Sequence, residues 1–564
     1  MTEKSRWADA VLGVAIAATV VPLLSVRFLP FTDLPEHVAV MATMARWFDG
    51  TERATYDIDF WRSQYLVYHA AGALLTKVLG DAVLANRVLL VGLAIALPLS
   101  VREALRALGR DPRLAVLAAM PFLSRPLFVG FMPYVASLPL YFLGIALVLR
   151  VRTRRVGVVL AVLAVGLLYT HLSTLLVFAV TAVTVEIVTS ARAPAPWSLR
   201  AWLAARVRRL LWLGPVSLVA ATWSVSSRIT LRGESLADRG EIGKMAISRS
   251  IRALPLWTFD VFRSHVDEVC GAVWWLTLAA LAVLGARAEK AGAAPREGLA
   301  GRELAERPLV IRLLARLDPA YVPLLCVLAI YFATPFRIGA GGMLNVRLAP
   351  IVALAATLTV PRSRGAIHTA LLSVVALATV VFAVNATLEM RALAREQMTD
   401  FDAILASMRP GTRLVTLRFA NRATRTHFDP YPFAGSYHRA NGGGVASYSF
   451  SDLPHWPVHY TSEARPPQKT VPLWIYAPCA YRNAIDGPYY DYVLVSGGLD
   501  PFADQPAGPV FREVRRVGEF VLYERAPGEA WTGDRGRDGP CATPMDPLRT
   551  MDPGIMGEAY TYPP

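Results

Sequence analysis

VGVVLAVLAVGLLYTHLSTLLVFAVTAVTVEIV, residues 156–188, holds two groups able to carry charge, His171 and Glu186, in 33 positions. As one helix it would run about 50 Å, against roughly 30 Å of bilayer hydrocarbon, so it predicts two membrane spans folded back near Tyr169-Thr170-His171. A chain that crosses and returns in this way is polytopic. The rest of the sequence agrees: hydrophobic residues make up 54% of 564 positions, mean hydropathy is +0.39, and apolar runs of about 17 to 21 residues recur. A soluble enzyme is excluded. The net charge of +15 comes from short arginine clusters between apolar runs, where they anchor loops, so nucleic acid is not the expected partner; the lipid bilayer is. Four cysteines without a C-x-x-C or His/Cys cluster point neither to a disulfide scaffold nor to a structural zinc.

Residues 8–26, 82–101, 114–128, 132–149, the two halves of 156–188, 210–225, 269–286, 321–334, 348–360 and 367–384 predict about eleven transmembrane helices. Lys4 and Arg6 place the N-terminus in the cytoplasm. Residues 65–79, about 22 Å as a helix, are short for a span and carry His69 and Lys77. If they lie in the outer interface instead of crossing, the clusters Arg102–Arg113, Arg150–Arg155 and Arg192–Arg209 all fall inside, as the positive-inside rule requires. Residues 114–128 read as a broken crossing because of Pro121, Arg125 and Pro126. Residues 228–267 form a long outer loop, and 287–316 a basic cytoplasmic linker. The expected division is a transmembrane domain over 1–388, with an outer loop and interfacial helices at 28–81.

That first outer loop, FTDLPEHVAVMATMARWFDG at residues 31–50, places Asp33, Glu36 and His37 within five residues. On a helix Asp33 and His37 share a face and can act on one bound group. The same residues also read as a helix start in which carboxylates and Pro35 only satisfy loose backbone N–H groups.

From residue 389 the chain reads as soluble. Residues 389–407 have helical spacing, and 413–418, 492–495, 511–516 and 519–523 read as short strands, so a small extracytoplasmic α/β domain is expected over 389–526. Asn441-Gly442-Gly443-Gly444 lacks a following Lys-Ser/Thr and reads as a flexible turn, not a phosphate cradle. Residues 527–564, rich in Pro, Gly and Asp, are expected to lack fixed structure. Cys479 and Cys541 both fall outside, in an oxidising compartment, and are expected to form a bridge around about sixty residues.

The order of these parts resembles the GT-C superfamily of membrane glycosyltransferases: one span, an outer loop with an acidic motif and interfacial helices, further spans, then an extracytoplasmic domain. YHAAGALLTKVLGDAVLANRVLLVGLAIALPL, with Arg87, and NVRLAPIVAL, with Arg347, look like stretches of that superfamily. DLPEHVA, GFMPYVASLPLYFLGIALVLR and LYTHLSTLLVF look like a bacterial branch of it with an Asp-x-Pro-x-His loop. The resemblance covers about two-thirds of the chain. It implies transfer of a sugar from a polyprenyl-phosphate-linked donor to an extracytoplasmic glycan, lipid or protein at the bacterial plasma membrane. The superfamily's acidic motif is often a pair of acidic residues, whereas here Asp33 stands alone with Glu36 and His37 after it.

Such chemistry needs a carboxylate base within reach of the acceptor hydroxyl and a cation at the departing phosphate. Asp33, with Glu36, is the catalytic candidate. Arg337 and Arg347, flanking PFRIGAGGMLNVR, suit phosphate oxygens, although interfacial arginines also hold helix ends. His37 and His171 lie on the same outer side as substrate-binding candidates; with Asp33 they could hold a divalent metal, a cofactor the sequence leaves open. The alternative function is a transporter or a non-catalytic GT-C-like protein of envelope assembly. A third is an assembly partner that binds through its C-terminal domain. Transport is the less expected, because few charges sit in mid-span.

Overall fold

The computed structural model describes residues 3–150, 153–192, 199–230, 242–292, 308–338, 342–363, 365–419, 423–447, 449–453, 455–466, 473–476, 478–532 and 541. Helix α1 (Glu3–Leu23) leads to α2 (Leu34–Phe48), α3 (Leu66–Leu79) and α4 (Ala82–Ala107). Among the described residues six helices are long and apolar enough to cross a membrane: Ala82–Ala107, Pro112–Val129, Met132–Leu149, Leu172–Ala191, Val266–Ala291 and Ala366–Gln397. The pair Leu309–Arg316 and Pro319–Ala333, bent by 80°, makes a seventh if it is one span. Trp7–Leu23, Leu66–Leu79, Leu213–Ser226 and Val346–Thr359 are apolar but shorter. Length and composition therefore support six or seven crossings and do not establish the expected eleven.

The fold-back at His171 is present. The chain is helical over Arg154–Thr170 and Leu172–Ala191, and His171 between them is extended, its ring accepting the Thr174 N–H. The break expected within residues 114–128 is present. Pro112–Ala118, Met120–Leu123 and Arg125–Val129 are three short pieces, two of them 3-10 helices, because Pro112, Pro121 and Pro126 each remove a backbone donor. Nearly every side chain in them is buried, so this stretch is the centre of the bundle and its apolar character serves helix contacts.

Arginines join the helices at the end of the bundle remote from α2. Arg102 pairs with Asp9, Arg110 with Asp318 and Glu289, and Arg206 with Glu186. Part of the expected basic linker is helical, since one helix runs to Gly292 and another covers Leu309–Arg316; residues 293–307 between them lie outside the described residues.

Helix Ala366–Gln397 passes residue 388 without a break, so the expected domain boundary falls inside a helix. Among the described residues nine strands occur: β1 (Tyr56–Ile58), β2 (Ile242–Gly243), β3 (Arg337–Ile338), β4 (Arg413–Arg418), β5 (Val445–Ala446), β6 (Val458–Tyr460), β7 (Tyr492–Ser496), β8 (Ala507–Val517) and β9 (Phe520–Thr532). Five form the C-terminal sheet in the order β5-β4-β7-β9-β8, with β4 parallel to both neighbours and β9 antiparallel to both of its own. β4 has the expected bounds, whereas β9 carries order through Thr532 into the segment expected to be a loose tail. Cys541 is bonded to Cys479 with Cα atoms 5.4 Å apart, and the rest of the tail lies outside the described residues. The glycine turn is packed: at Gly444, with φ +86°, an added Cβ would meet the Thr412 carbonyl oxygen at 2.1 Å.

The C-terminal domain sits on the same end of the bundle as α2 and α3. β6 pairs antiparallel with β1, putting Tyr56 opposite Tyr460. Val40, Met44 and Ala45 of α2 share a buried cluster with Tyr56, Phe433, Phe450, Trp456 and Val458.

Candidate active site

Helix α2 begins where three parts of the chain meet. The N–H groups of Thr32 and Asp33 donate to the carbonyls of Phe128 (2.9 Å) and Val129 (3.3 Å), and the Thr32 hydroxyl donates to the Asp429 carbonyl at 2.7 Å. Gly130 closes the clamp. Its φ is +99°, and a Cβ there would lie 2.5 Å from the Asp33 nitrogen, so both its backbone conformation and the close approach require glycine.

Asp33 occupies the N-cap position, yet its φ and ψ of −88° and −3° are helical and its carboxylate makes no capping bond. A capping aspartate needs the extended region to turn its oxygen back onto N–H groups, so capping does not explain this residue. The side chain is half-buried. Burial pushes its pKa up to about 7; Glu36 adds to the rise, and the Arg347 guanidinium opposes it.

Arg347 precedes helix Ala349–Thr359. Its guanidinium lies 3.8 Å from the centroid of the Phe131 ring, and Nη2 donates to the Gly342 carbonyl at 2.9 Å. Its Nε is buried without a hydrogen-bond partner among the described residues. The charge acts on Asp33, Tyr65, Tyr134, His171 and His455, so these groups surround it. His171 stacks on Tyr65 at 6.0 Å and meets Tyr134 edge-on at 5.3 Å. Asp33, Arg347 and His171 thus belong to one network of interacting groups that includes Tyr65, Tyr134 and His455 of the C-terminal domain.

Glu36 and His37 are drawn elsewhere. Glu36, fully buried, accepts the Ser436 hydroxyl and, at 2.8 Å, the Phe450 N–H, and lies 3.6 Å from the Arg439 guanidinium. Both oxygens are bonded, so Glu36 fastens α2 to the C-terminal domain while its charge still acts on Asp33. His37 Nε2 donates to the Gly130 carbonyl at 2.9 Å, and Nδ1 lies 3.0 Å from His69 Nε2. His69 Nδ1 in turn donates to the Tyr65 carbonyl at 2.8 Å, and among the described residues Asp33, His37 and His171 do not come together as a group that could hold a metal ion. Burial holds His37 well below the usual imidazole pKa and pushes His69 down to about 3.

Arg337 lies on β3, paired with β2. Sequence reasoning missed Tyr65, Tyr134 and His455. Tyr134 stands in the quoted phrase GFMPYV, and an aromatic three residues after a glycine-phenylalanine turn was the available signal.

No protein-family model matches the sequence, and no curated protein does. Solved structures do. ArnT from Cupriavidus metallidurans bound to undecaprenyl phosphate superposes with a TM-score of 0.54 over 93% of this chain and 99% of that one, at 11% identity. The same protein in the apo state gives 0.53 over 93% and 98%, at 13% identity. Nearly the whole chain, bundle and C-terminal domain together, has the fold of ArnT, a GT-C family glycosyltransferase.

Proposed function

We propose that this protein is a membrane glycosyltransferase that moves a sugar from a polyprenyl-phosphate carrier to an extracytoplasmic acceptor. The observation that carries the reading is Asp33: a carboxylate without a capping role, raised to a pKa of about 7, with the Arg347 charge acting on it. Asp33 takes the proton of the acceptor hydroxyl as that oxygen bonds to the sugar's anomeric carbon. The bond from that carbon to phosphate oxygen breaks, and Arg347 compensates the charge on the leaving polyprenyl phosphate. Tyr65, Tyr134 and His171 wall the sugar site, and His37 and Glu36 hold the start of α2 in place. The ArnT structure with undecaprenyl phosphate supports a lipid donor of that class.

The orientation follows from the same reading: N-terminus and arginine clusters cytoplasmic, α2, α3 and the C-terminal domain outside, in the bacterial inner membrane, with about eleven crossings. Reporter fusions at Thr153 should read cytoplasmic and at Gly497 extracytoplasmic; the reverse would sink it. Transport is disfavoured because Glu186 is paired with Arg206 and Arg209 at a helix end. The deciding experiment incubates the purified protein in lipid with undecaprenyl-phosphate-linked sugars and envelope acceptors and follows label release. Release by wild type and by Asp33→Asn alike would reject the assignment.

A further inference from the structure

We propose that Asp260, Glu268 and His427 form a divalent-cation site that fastens the outer face of the bundle to the C-terminal domain. Asp260 follows helix Ile247–Phe259, Glu268 lies in the first turn of helix Val266–Gly292, and His427 comes from the C-terminal domain. One ligand atom from each lies within 4.8 Å of the others. The backbone sets this convergence. The Arg263 N–H donates to the Arg425 carbonyl at 2.9 Å and the His427 N–H to the Val261 carbonyl at 3.2 Å, either side of a bridge between Phe262 and Thr426.

The independent observation is a set of stranded buried atoms. Among the described residues Asp260 Oδ1, His427 Nε2 and Asp267 Oδ1 are buried without a hydrogen-bond partner, in residues of which Asp260 is 7% exposed and Asp267 0%. Asp260 Oδ1 and His427 Nε2 stand 2.9 Å apart without hydrogen-bond geometry. An ion roughly 2.1 Å from each would see them at close to a right angle, as neighbouring ligands of a transition metal do. Charge favours the ion too. Three carboxylates, Asp260, Asp267 and Glu268, act on the Arg125 guanidinium, which is spent on Asp260 Oδ2 at 2.6 Å and the Asp260 carbonyl at 2.5 Å. Glu268 is partly exposed, 3.0 Å from His265, and gives the ion a route in from solvent. One imidazole with carboxylates suits zinc, manganese or iron(II) better than calcium or magnesium.

The cation acts by position. Arg125 opens the short helix Arg125–Val129, and the next residue, Gly130, lies against Asp33, so the ion braces the clamp from behind. The test uses the full-length protein in detergent, stripped with chelator and dialysed against Zn2+ or Mn2+. Elemental analysis should find one ion per chain, and the melting temperature should rise on loading. His427→Gln and Glu268→Gln should each weaken binding by roughly tenfold or more, while His265→Ala should bind as wild type does. Cobalt(II) should show visible bands that His427→Gln alters. Should His427→Gln fail to fold, Glu268→Gln at its partly exposed position decides. Absence of a stoichiometric ion in wild type, or wild-type affinity in Glu268→Gln, overturns the proposal.

Discussion

Glu36 and Arg439 face each other at 3.6 Å across the boundary between α2 and the C-terminal domain, and neither side chain reaches solvent. Replacing Glu36 by Gln strands a buried guanidinium, a change that costs about 3–5 kcal/mol when such a pair is broken. Thermal unfolding of Glu36→Gln should shift strongly downward. The folded fraction should still transfer sugar at a rate within a few-fold of wild type, and a rate loss as large as that of an Asp33 variant would return Glu36 to the chemistry.

Asp33→Asn removes the base and keeps the shape. Since Asp33 makes no capping bond, the substitution should leave expression and melting behaviour intact. Transfer should fall by roughly two to four orders of magnitude, read as label release per folded protein.

The rate should depend on pH through Asp33. A base with a pKa of about 7 is mostly protonated below that value, so kcat/KM should fall about tenfold per pH unit below it and level off above. Arg347 lowers this pKa and Glu36 raises it. Arg347→Met should therefore move the midpoint upward and Glu36→Gln downward, whereas Arg347→Lys should hold it and slow the reaction by losing the planar fork. Profiles with unmoved midpoints would break the link between the three residues.

Transfer should invert the anomeric configuration. Double displacement needs a second free carboxylate as nucleophile, and Glu36, the carboxylate adjacent in sequence, has both oxygens bonded. Proton NMR of the product's anomeric coupling, against that of the donor, decides; retention would require a nucleophile not assigned above.

Cys479 and Cys541 close a loop with a separation of 62 residues. Opening it with a Cys541→Ser substitution should destabilise the C-terminal domain by about 2–4 kcal/mol while leaving the bundle's transition in place. Two separately moving transitions in calorimetry would show this, and coincident ones would mean the bridge does not govern the domain alone.

What the sequence revealed and what it hid divide along a physical line. The hairpin at His171, the strand Arg413–Arg418 and the cysteine pair were legible because each rests on local length, alternation or compartment. The break in residues 114–128 was legible from Pro121, Arg125 and Pro126, but its burial was not, since hydropathy cannot tell a side chain facing lipid from one facing a neighbouring helix. Glu36 was illegible for another reason: Ser436, Arg439 and Phe450 lie some four hundred positions away. Arg337 and Arg347 flank one loop in the sequence, and no local pattern marks Arg347 as the arginine whose charge acts on Asp33.

The pairing of β1 with β6 also sets a clock for biosynthesis. Tyr56 leaves the ribosome about 400 residues before its partner Tyr460, and at 5–20 residues per second that is a wait of roughly 20–80 s. Throughout it the first loop has no strand to pair with and Glu36 has no arginine. A nascent chain released early would expose a sheet edge and an uncompensated acid at the bilayer surface, where quality-control proteases can find them.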